Sequence, residues 1–248
     1  MVEENYNRYA RLFGVGHQET IRIARNLAVA RRRAGDHLNA YKLAEDTMNR
    51  FRERFGPNQP DTIAAALNFA VDLREADDLQ RAYELAAQTA EDYRRTLGAD
   101  HPYTLYARTN LGIVLRLLGR ATDAEGHNRA AWDNLTRLLG NRHMLTLTCG
   151  INLASDLASL GRHQEAHDLD AAMLVQCREL IGQEHPSTLA CALNLSFDLD
   201  ALNRPSEAGT LFDETRAKYA RILGPEHPAV VAADAYQRAN CDIDPMQF

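Results

Sequence analysis

A glycine recurs every 42 residues along this chain, with no insertion between the copies. The six copies are Gly14, Gly56, Gly98, Gly140, Gly182 and Gly224. A threonine follows six residues after each of the first five glycines, and an asparagine follows twelve residues after each. The five asparagines are Asn26, Asn68, Asn110, Asn152 and Asn194. A fixed period of this length indicates a repeat array, in which each unit buries its apolar surface against its neighbours.

The pattern inside each unit predicts two helices. The glycine ends the preceding helix, at a position that needs a positive φ, and a proline such as Pro102 occupies the first turn of helix A in most units. Apolar residues at helical spacing, such as Leu153 and Leu157, form the core-facing stripe of helix A. No strand pattern appears. The sequence therefore predicts an all-α, right-handed α-solenoid of five antiparallel helix-pair repeats with a half repeat at each end.

We expect one solenoid over residues 1–240 and a C-terminal tail over 241–248. The predicted units are a half unit at 5–13, full units at 14–55, 56–97, 98–139, 140–181 and 182–223, and a half unit at 224–240. Residues 228–240 are predicted to form the last helix A. The first half unit keeps its core residues, which favours a piece cut from a longer array over a capping helix.

Composition and motifs exclude several classes of function. The 248 residues carry a net charge of −6, which has the wrong sign for a nucleic-acid binder. No apolar run is long enough to span a membrane, and no signal peptide is visible. The four cysteines lack zinc spacing, which favours a reduced, cytoplasmic setting. No phosphate-binding or catalytic motif occurs, so the sequence predicts neither an enzyme nor a cofactor or metal.

The segments NLA at 26–28, LGR at 118–120 and NLASDLASLGRHQEA at 152–166 resemble tetratricopeptide repeats. The 42-residue length and the GxxHPxT pattern are similar to the long variant of kinesin light chains. The resemblance covers residues 5 to 240 and implies a scaffold that binds proteins or peptides. Similar repeats close many bacterial signalling ATPases of the NB-ARC type, and the excess of arginine over lysine is typical of high-GC bacteria.

The recurring asparagine predicts where binding would occur. Asparagine is a mediocre helix former, so a merely solvated position would vary among better helix formers. Its amide offers a donor and an acceptor and could hold an extended peptide backbone, at about three peptide residues per unit from the extended rise. The alternative is that each amide fixes the stacking of neighbouring helices. In proteins with similar repeats this position lines the peptide groove.

Selectivity would come from residues near the asparagines that differ from one unit to the next. The predicted contacts are Arg22, Arg74, Tyr106, Arg116, Asp156 and Asp198. Because arginine suits carboxylates, we expect the acidic end or the C-terminal carboxylate of a peptide to lie towards units 1–3. Two other functions stay open: a ligand-sensing regulatory domain of a larger bacterial signalling ATPase or transcription regulator, and self-association into homo-oligomers through the open ends of the solenoid.

Overall fold

The computed structural model describes residues 2–244, which form twelve helices and, within that range, no strand. The chain divides into two compact parts, which we call the first unit and the second unit; the 42-residue units of the sequence are called repeats from here on. The first unit holds the residues up to Val114 together with Asp244, and the second unit holds Leu115–Ile243. The helices are α1 (Val2–Phe13), α2 (Gln18–Arg33), α3 (His37–Phe55), α4 (Pro60–Glu75), α5 (Leu79–Leu97), α6 (Pro102–Leu117), α7 (Ala121–Leu139), α8 (Met144–Ser159), α9 (His163–Ile181), α10 (Pro186–Ala201), α11 (Pro205–Leu223) and α12 (Pro228–Asp234).

The helices repeat in length as well as in sequence. In the five full repeats each helix A has 16 residues, as in α2 and α8, and each helix B has 19, as in α3 and α9. Within the first unit consecutive helices from α1 to α5 pack on one another, and so do those from α7 to α12 within the second. The prediction of an all-α array of helix pairs is confirmed. None of the described helices is both long and apolar enough to cross a membrane.

The glycine that sets the period has a backbone conformation that other residues rarely adopt. Gly98 has φ 96° and ψ 162°, and its copies have φ values from 83° to 95°. This region of the Ramachandran plot is essentially restricted to glycine. The break between helix A and helix B also has positive φ, but there Asp77 and Asn203 replace glycine at φ 61° and 59°. Asparagine and aspartate tolerate the left-handed region better than other residues.

A histidine caps the start of helix A in most repeats. The Nδ1 of His185 accepts a hydrogen bond of 3.2 Å from the backbone N–H of Ser187. His143 and His227 make the same contact at 3.2 Å and 3.1 Å. The Oγ1 of Thr104 donates to the carbonyl of Gly98 at 2.7 Å and ties the start of α6 to the preceding turn. The histidines and the threonine thus organise the turns between repeats.

The prediction of a helix over 228–240 is wrong, because α12 ends at Asp234. Tyr236 takes φ 56°, and its N–H and that of Gln237 bond back to the carbonyls of Ala233 and Ala232. From Ala235 to Asp244 the chain is not helical. Within residues 235–244 no helix B follows to cover a longer α12, and hydrogen bonds and ion pairs with α8, α9 and α10 hold Arg238, Ala239 and Cys241 instead. We call residues 235–244 the tail segment; the rest of the predicted tail, 245–248, lies outside the described residues.

Candidate functional site

Two of the recurring asparagines bind the backbone of the tail segment. The Nδ2 of Asn194 donates to the carbonyl of Ala239 at 3.0 Å, and the N–H of Ala239 donates to the Oδ1 of Asn194 at 2.8 Å. Asn152 makes the same pair of bonds to Cys241, at 2.7 Å and 3.1 Å. Both asparagines are fully buried. Each amide therefore uses its donor and its acceptor on the backbone of one residue, and neither hydrogen bond involves that residue's side chain.

Successive asparagines hold residues two apart in the tail segment, which differs from the three residues per repeat predicted for a bound peptide. In an extended chain the N–H and C=O of one residue point to the same side, and those of the next residue point to the opposite side. A row of amides on one wall can therefore bind only every second residue. Ala239 and Cys241 satisfy this condition, whereas a step of three would turn the backbone groups away.

In the second unit, an arginine of the preceding repeat contacts the backbone of Asn152. The Nη1 of Arg116 donates to the carbonyl of Asn152 at 3.2 Å and pairs with the carboxylate of Asp156. The Nδ2 of Asn128 donates to the same carboxylate at 2.6 Å, and Arg116 donates to the Oδ1 of Asn240 in the tail segment at 2.7 Å. Burial raises the pKa of Asp156, although Arg116 and Asn128 oppose that shift. The cluster joins two repeats and the tail segment.

The first unit contains the same arrangement. Arg32 donates to the carbonyl of Asn68 at 3.4 Å and pairs with Asp72 at 3.0 Å. Its Nη2 pairs with Asp244 at 2.5 Å, and Arg33 contacts the other oxygen of that carboxylate at 2.5 Å. The acidic residue that lies against the arginines of the first repeat is therefore one from the chain's own C-terminal region.

A cleft of about 530 Å³ lies beside Asp244 in the first unit. Asn26 and Asn68 line it, together with Val29 and Arg33. Asn68 is 2% exposed, and within residues 2–244 no donor reaches its Oδ1 atom. In the second unit the equivalent oxygens accept a backbone N–H. The Asn68 amide therefore presents an acceptor of the same kind.

An arginine of the tail segment occupies the corresponding place in the last full repeat. Arg238 pairs with Asp198 at 2.5 Å and with Asp170 at 2.7 Å, and it donates to the carbonyl of Asn194 at 3.3 Å. Its Nε donates to the Oγ of Ser155 at 3.2 Å. Burial raises the pKa of Asp170 well above its usual value; the charge of Arg238 opposes this rise and that of Asp198 adds to it.

Aromatic rings hold the beginning of the tail segment. The ring of Tyr236 stacks on that of Phe212, with centroids 5.4 Å apart, and lies 6.0 Å from that of Phe197. At the other end, Cys241 and Ile243 are 6% and 3% exposed. The tail segment is therefore fixed by ring contacts, backbone hydrogen bonds and ion pairs together.

Other predicted contacts face different partners. Arg22 pairs with Asp61 of the next repeat at 2.6 Å; burial alone would raise the pKa of Asp61, but Arg22 and the buried Arg25 lower it. Arg74 is buried beside Glu75. Tyr106 packs edge-on to another tyrosine ring, and burial raises its pKa to about 12.

Asn110 of α6 is buried, with 3% of its surface exposed. The described residues contain no group of three or more histidine, cysteine, aspartate or glutamate side chains that could hold a metal ion. The four cysteines are buried thiols.

The sequence did not predict that the tail segment contacts the asparagines. One signal was available six residues after the recurring asparagine, where the first three repeats have Arg32, Arg74 and Arg116. The next repeat has Ala158 at this position, so Asp198 lacks the arginine that Asp156 receives. The missing charge indicates that a cation must come from elsewhere.

Family models described as tetratricopeptide repeat match the chain over residues 19–89, 61–136, 146–187 and 188–229. No curated protein matches it. Several solved structures share the fold. The nearly identical TPR-like repeats of a Podosopora anserina kinesin light chain candidate align with a TM-score of 0.61 and 23% identity, covering 83% of this chain and 97% of that one.

BtubC (BKLC) from P. vanneervenii aligns with a TM-score of 0.63 and 22% identity, over 90% of this chain and 88% of the other. A Rap protein complexed with Competence and Sporulation Factor aligns with a TM-score of 0.65 and 12% identity, over 95% of this chain and 66% of the other. At these identities the structures show the fold alone. The repeat models cover more than half of the sequence, and the chain therefore belongs to the tetratricopeptide repeat family, with repeats similar to those of kinesin light chains.

Proposed function

We propose that this chain is a non-catalytic scaffold that binds an extended segment of a protein or peptide along the asparagines of its first helices. The observation that carries the proposal is the pair of two-point contacts from Asn152 and Asn194 to the backbone of Cys241 and Ala239. An amide that satisfies both the N–H and the C=O of one residue holds an extended chain whatever its side chains. The tail segment thus acts as a ligand in cis.

The first unit supports the same proposal. The buried Oδ1 of Asn68 has no donor within residues 2–244, and an unpaired buried acceptor costs free energy. A backbone N–H of a bound segment would satisfy it. Asn26 lines the same cleft, and the carboxylate of Asp244 already lies against Arg32 and Arg33.

The proposed contact set keeps all the predicted residues, with the arginines and aspartates supporting the asparagines. It comprises Asn26, Asn68, Asn110, Asn152, Asn194, Arg22, Arg74, Tyr106, Arg116, Asp156 and Asp198. A Rap protein of similar fold has been solved complexed with Competence and Sporulation Factor, which is compatible with ligand binding by such a scaffold. The sensing role within a larger bacterial signalling ATPase, the cytoplasmic location and self-association stay predictions.

The test uses a labelled peptide of residues 235–244, AYQRANCDID, added to the full chain in reducing buffer and followed by fluorescence anisotropy. Because the tail segment competes in cis, the receptor carries A239P/C241P, which removes the two N–H donors that reach Asn194 and Asn152. The A239S/C241S receptor keeps these donors and is the matched control. We expect the peptide to bind the proline receptor at least about tenfold more tightly, in line with the loss of two hydrogen bonds in the competitor.

Adding N152A/N194A to the proline receptor removes the groove amides and should weaken peptide binding about tenfold or more. Circular dichroism checks that each variant keeps its helices. Equal affinity with and without the two asparagines, in folded receptors, would show that the amides only support the fold.

A further inference from the structure

Two carboxylates lie side by side in the interior of the second unit. Asp170 of α9 is fully buried, and Asp198 of α10 is 1% exposed. No helix residue within residues 2–244 forms an ion pair with either of them; their cation is Arg238 of the tail segment. Two buried anions without a cation are costly, so this place in the fold requires a positive charge.

Comparison of the repeats shows how this requirement arises. Asp72 and Asp156 each pair with an arginine of the preceding repeat, Arg32 and Arg116. Ala158 stands at that arginine position before Asp198. The helix B position that is Asn128 beside Asp156 becomes Asp170 beside Asp198. This repeat has therefore lost a positive charge and gained a negative one at the same location.

The acceptors around Arg238 match a guanidinium in number. Its Nε reaches Ser155 at 3.2 Å, and its Nη1 reaches Asp198 at 2.5 Å and the carbonyl of Asn194 at 3.3 Å. Its Nη2 reaches Asp170 at 2.7 Å and the second oxygen of Asp198 at 3.4 Å. All five N–H donors of the planar fork thus have acceptors. A lysine ammonium has three donors at a single point and cannot reproduce this pattern.

We propose that the site formed by Ser155, Asp170, Asn194 and Asp198 is an arginine subsite of the peptide groove, and that an arginine of a bound partner segment replaces Arg238 there. The inference rests on the proposed function. The register is fixed, because Arg238 immediately precedes Ala239, the residue that Asn194 holds, and Cys241 is held next. The preferred partner is an extended segment of the form arginine, small residue, a residue with a side-chain acceptor such as Asn240, small residue, and the tail segment is its resident competitor.

Small residues suit the two held positions, because the half-buried Ala239 packs against apolar clusters and the surroundings of Cys241 are closed. Cys241 is 6% exposed and packs in an apolar cluster with Leu195, Leu199 and Cys191. A bulky side chain there would have to displace buried apolar groups, which overpacks a core of this density.

The experiment compares three versions of the AYQRANCDID peptide on the full-chain A239P/C241P receptor: the arginine peptide, one with lysine at that position, and one with citrulline, the neutral isostere. We expect lysine and citrulline each to weaken binding at least about 30-fold, because each leaves a buried carboxylate without its paired donors. Replacing Asp198 by Asn in the receptor should reduce the preference for arginine over citrulline at least about tenfold. D200N, at an exposed position two residues along the same helix, should leave it unchanged.

If the three peptides bind equally while N152A/N194A still weakens binding, the groove stands and the arginine subsite is overturned. If no peptide binds any folded receptor, both proposals fail. Should the proline receptor not fold, excess arginine peptide is added to the unaltered chain, and hydrogen exchange is followed at the Ala239 and Cys241 amides. Faster exchange with the arginine peptide and not with the citrulline peptide supports the subsite, and identical exchange with both overturns it.

Discussion

Replacing Arg238 by alanine is expected to lower the free energy of unfolding of the second unit by about 3 kcal/mol at neutral pH, the scale found when one partner of a buried ion pair is removed. The change leaves Asp170 and Asp198 without their cation and removes one of the two donors that reach Ser155. The single tryptophan, Trp132, packs beside Leu153 and Leu157 and reports on this unit by fluorescence during urea unfolding.

The loss should depend on pH in a known direction. Burial raises the pKa of Asp170 above its unfolded value, and removal of Arg238 takes away an opposing effect. A buried carboxylate with a raised pKa costs stability when it is ionised, and protonation at low pH removes that cost. The deficit of R238A is therefore largest at neutral pH and shrinks as the pH falls.

The matched control is Arg216→Ala, which breaks the exposed pair with Asp234 and should change stability little. Equal free energies of unfolding for R238A and the unaltered chain, at both neutral and acidic pH, would contradict the role given to Arg238.

Replacing Asp156 by alanine is expected to cost a similar amount, about 3 kcal/mol, because it strands the buried donors of Arg116 and Asn128. Asp156→Asn should cost less, since the amide keeps an acceptor and burial already disfavours the charged form of the carboxylate. Urea unfolding followed by Trp132 fluorescence measures both. Asp133→Ala, at an exposed position of α7, is the control. A D156A variant as stable as D133A would show that the cluster does not join the repeats.

The helices were predictable because their signals are local. Gly98 needs its unusual backbone angles, His185 caps the helix that begins at the next residue, and apolar spacing marks the buried face of each helix. All of these signals lie within one or two turns of the element that they define.

The occupant of the groove was not predictable, because its contacts join residues far apart in the sequence. Asn152 bonds to Cys241 across 89 positions, and Arg238 reaches Asp170 across 68. The asparagine period indicated a row of amides, but only the alternation of an extended backbone sets its step at two residues. The early end of α12 follows from the same contacts, since they require residues after Asp234 to leave the helix.

The central claim is that groove asparagines hold an extended backbone, and amide hydrogen exchange at residue resolution tests it most directly. In the unaltered chain the N–H groups of Ala239 and Cys241 should exchange slowly, because Asn194 and Asn152 accept them. N194A should remove protection chiefly at Ala239, and N152A chiefly at Cys241. Exchange at both amides as fast as in an unstructured peptide, in the folded unaltered chain, would contradict the claim.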